Sequence, residues 1–241
     1  FLMEENARAY GRLLAERSKI RHKSIWLVGE DRPVEYEGKS VLSIWRAMAE
    51  GLLSLAKRHL IKFNPWGGSS SSRWLQQESW LDFNMLQSGH GQRDLANGLL
   101  VRSDYAQRPV KPCLDGEARY EDHPINWKPE NGWFDDYDVR QAAYWNLFSG
   151  GFGHTYGNHN VWQLYEPGRQ PVSSARYYWY ESLDPAGAFQ MQYVRHLIES
   201  RPMLERVPDQ SLIREAADST AVACRGTSFA MIYLANGGRC V

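Results

Sequence analysis

Acidic side chains gather at two points in this 241-residue chain. Glu30 and Asp31 follow the apolar run Ser24–Gly29. Asp115, Glu117, Arg119 and Glu121 follow Val110–Leu114, with Asp122 and His123 just beyond. A parallel barrel strand has this shape, apolar along its length and charged where it empties into a loop. Gly116 leaves room for its acidic neighbours to approach closely. Two such carboxyl groups could cleave a glycosidic bond: one protonates the leaving oxygen, while the other attacks the anomeric carbon or activates water. One must be protonated while the other is ionised, which unlike surroundings can achieve. The plainer alternative is a pair of structural ion pairs, to Arg32 and Arg119.

Other chemistries find less support in the residues. His90, His123, His154 and His159 could converge with Asp115 or Glu121 on a metal. However, there is no HExxH pattern and no HxH pair, and His154 and His159 stand five apart across a glycine-bearing loop. Hydrogen bonding to sugar hydroxyls is the better use of His90 and His154, so no metal or other cofactor is expected. Gly67–Ser72 lacks the Lys-Ser/Thr pair of a phosphate loop and reads as a mobile loop. No GxSxG supports a serine nucleophile. Ten Trp and 13 Tyr are a large aromatic complement. Trp127, Trp133, Tyr156 and Trp162 are candidates for a sugar platform, whereas Trp45 and Trp145, on helix stripes, read as core.

The elements that must position these groups alternate along the chain. Glu4–Ser18 reads as a helix with Ala7, Tyr10, Gly11 and Leu14 on one face, and Ser24–Gly29 as a short buried strand. Ser40 can cap a second helix with the stripe Val41, Ile44, Trp45, Met48, Leu52, Leu55 and Ala56. Leu60–Phe63 is a strand delivering Asn64, and Leu81–Leu86 one delivering Gln87, Ser88 and His90. A helix over about 94–105 leads to the strand Val110–Leu114. Asp138 and Gln141 make a capping-box-like pattern for a helix ending at Phe148. Phe152–Gln163 reads as strand and loop with His154, Tyr156, His159 and Trp162, and Ala186–Ser200 as an amphipathic helix. The order predicts an α/β fold: about five C-terminal strands of a (β/α)8 barrel, with every polar cluster on one face. A doubly wound open sheet is the alternative, but no Gly-rich phosphate loop follows any strand. After Ser219, Thr220–Arg225 and Ser228–Leu234 read as the opening hairpin of an all-β domain. The expected division is therefore 1–212, barrel portion, and 213–241, start of a β-sandwich.

Composition narrows the partners. Lys plus Arg equals Asp plus Glu at 28 each, so neither nucleic acid nor an anionic membrane surface is an expected partner. No apolar run approaches the roughly 20 residues of a membrane span. Cys113, Cys224 and Cys240 are too few and scattered for a disulfide framework, and Cys113 reads as a small buried residue. The chain opens within a helical pattern and closes without a polar tail, so a fragment of a longer protein is expected, and the absence of a signal peptide then says nothing about location. Oligomeric state is not legible.

Several segments together resemble the apiosidase-like glycoside hydrolases. They are Ile25–Asp31, Trp80–His90, Leu114–Pro124, Asp138–Trp145, Gly153–Gly157 and Val161–Gln163. The likeness runs from near residue 4 to near 215. It implies a (β/α)8 barrel, often followed by a β-sandwich to which collagen binding is ascribed, and the hairpin after Ser219 is similar to the start of that module. It also implies an acid/base carboxylate after the fourth barrel strand and a nucleophile after the seventh, which fall here at Asp31 and Glu117. Where the family usually shows Gly-Gly-Asp, this chain has Gly29-Glu30-Asp31. Glu30 either raises the proton affinity of Asp31 by like-charge repulsion or points outward. The implied function is hydrolysis, with retention, of a plant or microbial polysaccharide, a pectic side chain included, by a secreted, periplasmic or surface parent protein. Glu30, Asn64, Gln87, His90, Asp115, Arg119, His154, Tyr156 and Trp162 would hold the sugar. The competing class is a carbohydrate-binding barrel without catalysis, and this portion alone is expected to be inactive.

Overall fold

Two helices touch backbone to backbone at the start of the chain because glycine stands at both contact points. A computed structural model describes residues 2–18, 24–36, 38–55 and 59–241. Helix α1, Glu4–Arg17, buries Ala7, Gly11 and Ala15. Its first turn is acidic and its last basic, which complements the helix dipole. Strand β1, Ile25–Gly29, is followed by a two-rung hairpin of β2, Glu35–Tyr36, and β3, Lys39–Ser40. Helix α2 runs over Leu42–Leu53 and buries Ala47, Met48, Ala49, Gly51 and Leu52. A Cβ on Gly11 would lie 2.4 Å from the Met48 carbonyl oxygen, and one on Gly51 2.2 Å from that of Arg8. The expected cap Ser40 stands one residue early, and its Oγ accepts the Leu42 N–H at 3.3 Å. Ala56, assigned to the helix stripe from the sequence, lies outside the described residues.

Strand β4, Leu60–Asn64, pairs in parallel with β1 from Ile25↔Leu60 to Gly29↔Asn64, so both strands empty at the same end. The expected burial of β1 needs correction. Trp26 and Val28 turn into the α1–α2 core, whereas Ile25 and Leu27 are exposed, because successive side chains face opposite ways along a strand. The serine run is not the mobile loop expected from composition. Ser69–Ser70 is a short strand, β5, antiparallel to Leu86–Gln87, and Ser71 Oγ accepts the Met85 N–H at 3.0 Å. Helix α3, Ser72–Leu75, follows. Strand β6 is Asn84–Gln87, three residues later than its apolar run suggests. Asp82 ties the preceding residues to β4 instead, accepting from Ile61 N at 2.6 Å and donating its own N–H to Ile61 O.

The chain forms two compact units, Phe1–Gln87 with Ala106–Pro112, and Ser88–Tyr105 with Cys113–Val241. In the second, α4 spans Asn97–Tyr105 and strand β7 spans Cys113–Asp115, so the strand begins three residues after exposed Val110. Helix α5, Asp136–Phe148, is capped by Asp135 in place of the expected Asp138/Gln141 pattern. Asp135 accepts from the N–H groups of Tyr137 and Asp138, and Asp138 reaches back to the Asp135 N–H. No strand forms over 152–163. There Asn158 caps a short helix, α6, His159–Trp162, by accepting from Asn160 N and Val161 N. Polar residues with local caps outcompete the strand pattern.

Helix α7, Ala186–Glu199, packs on α5. Strands β8, Val207–Pro208, β9, Val222–Arg225, and β10, Ala230–Tyr233, form an antiparallel sheet in the order β10-β9-β8, which contains the expected hairpin. This sheet shares a core with the helices: Trp145, Phe148, Val194 and Ile198 pack with Val222 and Cys224, and Tyr144 stacks on Tyr233 at 4.7 Å. The architecture is mixed α/β, with helices around small sheets. Among the described residues no helix is long and apolar enough to cross a membrane.

Candidate active site

Buried Asp115 organises the tip of β7. Its carboxylate accepts from Ser88 N at 3.2 Å, Ser88 Oγ at 2.6 Å and Asn97 Nδ2 at 2.7 Å, and no part of it is exposed. Burial raises its proton affinity, and the hydrogen bonds oppose that rise. The carboxylate of Asp115, expected from sequence to hold the sugar, is thus engaged within the protein. It ties residues 88–90 to the strand tip, and Gly89 N adds a 3.0 Å bond to Glu117 O. The result sets His90 Nε2 3.5 Å from Glu117 Oε1. Glu117 keeps a partly exposed side chain at this position.

Arg119 packs deep behind the strand tip. Its buried guanidinium donates to Arg93 O and to Gln141 Oε1 and lies over the Trp145 ring at 5.5 Å. Burial lowers its pKa from the usual arginine value. It knits the tip to α5, while its Nη2 is buried with no hydrogen-bond partner among the described residues.

Around Glu117 the rings build a continuous shell. His90 stacks on His123 at 4.2 Å and meets Tyr120 at 4.5 Å and Trp127 at 5.8 Å. His123 meets His159 at 4.4 Å, and Trp162 donates from Nε1 to His159 Nδ1 at 3.2 Å. His159 Nε2 faces the carbonyls of Val172 and Ser173 at 3.0 and 3.1 Å. Burial pushes His123 down to about 3 and lowers His159 as well, so both are neutral near pH 7. Three of the four histidines weighed as metal ligands thus converge as contacting rings, His90 stacked on His123 and His159 edge-on to His123. Among the described residues no group of three or more His, Cys, Asp or Glu side chains is arranged to hold a metal ion.

Beside this shell lies a hollow of about 290 Å³ lined by Tyr120, Tyr156, Gly157, Asn158, Trp162 and Ser182 among others. Trp162 is half-exposed and Tyr156 half-buried, the arrangement of an aromatic platform. Tyr156 donates to Glu121 Oε2 at 2.6 Å, and Glu121 Oε1 accepts the Gly187 N–H at 3.0 Å. Burial raises the pKa of both the tyrosine and the glutamate. Tyr156 also lines a second cavity of about 310 Å³ with His154, Phe152, Met191 and Val194. His154 meets Asn146 Nδ2 at 3.3 Å and is held down to about 4, chiefly by burial and then by Arg119. It lines this mostly apolar cavity.

The other predicted site residues belong to the first compact unit. Glu30 and Asp31 follow β1 and Asn64 ends β4, level with Gly29, and Glu30 N donates to Asn64 O at 3.4 Å. Asp31 and Glu30 are both exposed. Both have left-handed backbone, φ 49° and 116°, directly after Gly29 at 82°. Asp122, Asn126 and Trp127 in the second unit share that strained backbone, a feature that concentrates at functional loops. Arg32 donates to the Asp31 carbonyl, not to its carboxylate. Gln87 ends β6, buried, with no hydrogen-bond partner for Oε1 among the described residues.

Sequence reasoning missed Tyr120, Asn158 and the Glu121–Tyr156–Gly187 linkage. The partners are 35 and 66 positions apart, and no local pattern carries that signal. His123 and His159 were visible, but not as stacking partners.

Two solved structures similar to this chain are described as glycoside hydrolases. One, described as a glycoside hydrolase, is 36% identical with a TM-score of 0.89, over 96% of this chain and 55% of its own. A glycoside hydrolase family 5 protein from Bacteroides vulgatus is 34% identical with a TM-score of 0.91, over 97% of this chain and 54% of its own. The chain thus spans about half the length of the solved structures it matches. The apiosidase-like catalytic-domain model matches residues 1–205, and the chain belongs to that family. No curated protein matches it.

Proposed function

We propose that this chain carries the catalytic groups of a glycoside hydrolase acting, with retention, on a plant or microbial polysaccharide, a pectic side chain being the favoured substrate. Glu117 is the nucleophile and Asp31 the general acid/base, on a (β/α)8 barrel to which β1, β4, β6 and β7 belong. One observation carries the reading. The Glu117 carboxylate is partly exposed and held at His90, and His90 packs on Tyr120, which lines a sugar-sized aromatic hollow. Family membership supports the same reaction class.

In this mechanism Glu117 attacks the anomeric carbon while Asp31 protonates the leaving oxygen, and Asp31 then activates water to release the sugar. Retention requires the two carboxyl groups roughly 5–5.5 Å apart. Trp162 and Tyr156 offer ring faces to the sugar, while Asn64 and Gln87 offer amides. The protein acts outside the cytoplasm, where such polysaccharides lie, and this portion by itself is inactive.

The test is release of reducing sugar from pectic oligosaccharides by the full-length parent protein and its Glu117→Gln, Asp31→Asn and Glu30→Gln variants. Glu117→Gln and Asp31→Asn are expected to lose at least a hundredfold in kcat, with Glu30→Gln much less affected. Undiminished turnover in Glu117→Gln removes the proposed nucleophile. Oligosaccharide binding without any release identifies a carbohydrate-binding protein instead.

A further inference from the structure

We infer that His90 is a positioning residue for Glu117, locked as the neutral Nε2–H tautomer so that it donates to the carboxylate and favours its ionised form. Resting on the nucleophile assignment above, it replaces the sugar-binding role read for His90 from sequence.

The ring's two nitrogens have unequal surroundings. Nδ1 is buried with no hydrogen-bond partner among the described residues, whereas Nε2 lies 3.5 Å from Glu117 Oε1. A proton on Nδ1 would bury an orphaned donor and leave Nε2 turned as an acceptor toward an anion. A proton on Nε2 leaves only an unused lone pair at Nδ1, a far smaller cost, because orphaned buried N–H groups are rarer than under-used acceptors. The contact is long for a hydrogen bond, as catalytic contacts without substrate often are.

The neighbours hold this choice. His123 stacks at 24° to the ring, with its Nδ1 on the Pro124 carbonyl at 2.8 Å, so Nδ1 carries its proton. His159 keeps its proton on Nε2, against Val172 and Ser173, because Nδ1 accepts from Trp162. With Tyr120 and Trp127 these rings leave His90 little freedom to turn, and its backbone is tied as well, since Asn126 N donates to His90 O at 2.8 Å. The titratable and charged groups around the pair include, among the described residues, Asp115, Arg119, Tyr120, His123 and His159. Asp115 and Arg119 are engaged with Ser88, Asn97, Arg93 and Gln141. A hydrogen bond donated to a carboxylate favours its charged form, the form a nucleophile needs.

Long-range proton–nitrogen correlation spectra of the protein at pH 7 read the tautomer directly, and carboxyl carbon shifts read the Glu117 titration. His90 is expected as Nε2–H. The Glu117 midpoint is expected to rise by about one pH unit, tenfold in proton affinity, in His90→Phe and to return in His90→Gln, whose amide nitrogen restores a donor. An Nδ1–H tautomer, or a midpoint unmoved in His90→Phe, overturns the inference. Should His90→Phe fail to fold, the wild-type tautomer decides. Neither readout uses substrate, so undiminished turnover by Glu117→Gln would sink the nucleophile assignment separately, leaving the pair's electrostatics intact.

Discussion

Glu30 occupies a backbone conformation that suits glycine, and this has a measurable consequence. At φ 116° its Cβ crowds the chain, and strained positions of this kind cost on the order of 1–3 kcal/mol each. Glu30→Gly is therefore expected to raise the urea midpoint by a stability gain of about 1 kcal/mol or more. Glu30→Ala removes the same charge but keeps a Cβ, and should gain little. Equal gains in the two variants would point to charge and not to backbone. The two acidic clusters themselves were legible from residue types alone. Their division of labour was not: Asp115 and Arg119 look as exposed in sequence as Glu117, yet both are sealed by partners 18 to 27 positions away.

The α1–α2 contact depends on two missing side chains. With the Cβ of Gly51→Ala only 2.2 Å from the Arg8 carbonyl oxygen, rigid backbone would have to move. Overpacking of this kind costs about 1–3 kcal/mol, so Gly51→Ala should lower the thermal midpoint clearly. An unchanged midpoint would mean that the helices slide apart without loss. Long amphipathic helices were readable because the 3.6-residue period repeats over several turns: α1 and α7 stand within a residue of expectation. Short strands were displaced, as in β6 and β7, and the 152–163 strand was absent. A few apolar residues do not specify a ladder, and side-chain caps such as Asn158 compete for the same backbone.

Buried neutral histidines make the stability of the whole chain depend on pH. Unfolded histidines take up protons below about 6.5, whereas folded His123 resists down to about 3 and His154 to about 4. The stability they contribute is complete above 6.5 and is lost progressively as pH falls through that window. The slope is up to about 1.4 kcal/mol per pH unit for a fully buried histidine. Asp115, Glu121 and Asp138, whose proton affinities are raised on folding, pull in the opposite direction at lower pH. The informative quantity is thus a difference: between pH 7 and 5, His123→Phe should lose less unfolding free energy than the wild type in urea titrations. Parallel curves would show that His123 is protonated without penalty.

Residue type and period determined the α/β class, the long helices, the terminal hairpin and the two acidic clusters, because each is written in contiguous or regularly spaced residues. Tertiary structure alone decided which carboxylates stay accessible, that His123 and His159 meet as neutral rings, and that Tyr156 leans on Glu121. Those outcomes depend on burial and on partners brought together from distant positions. Desolvation then selects which charges survive, and no window of the chain encodes that selection.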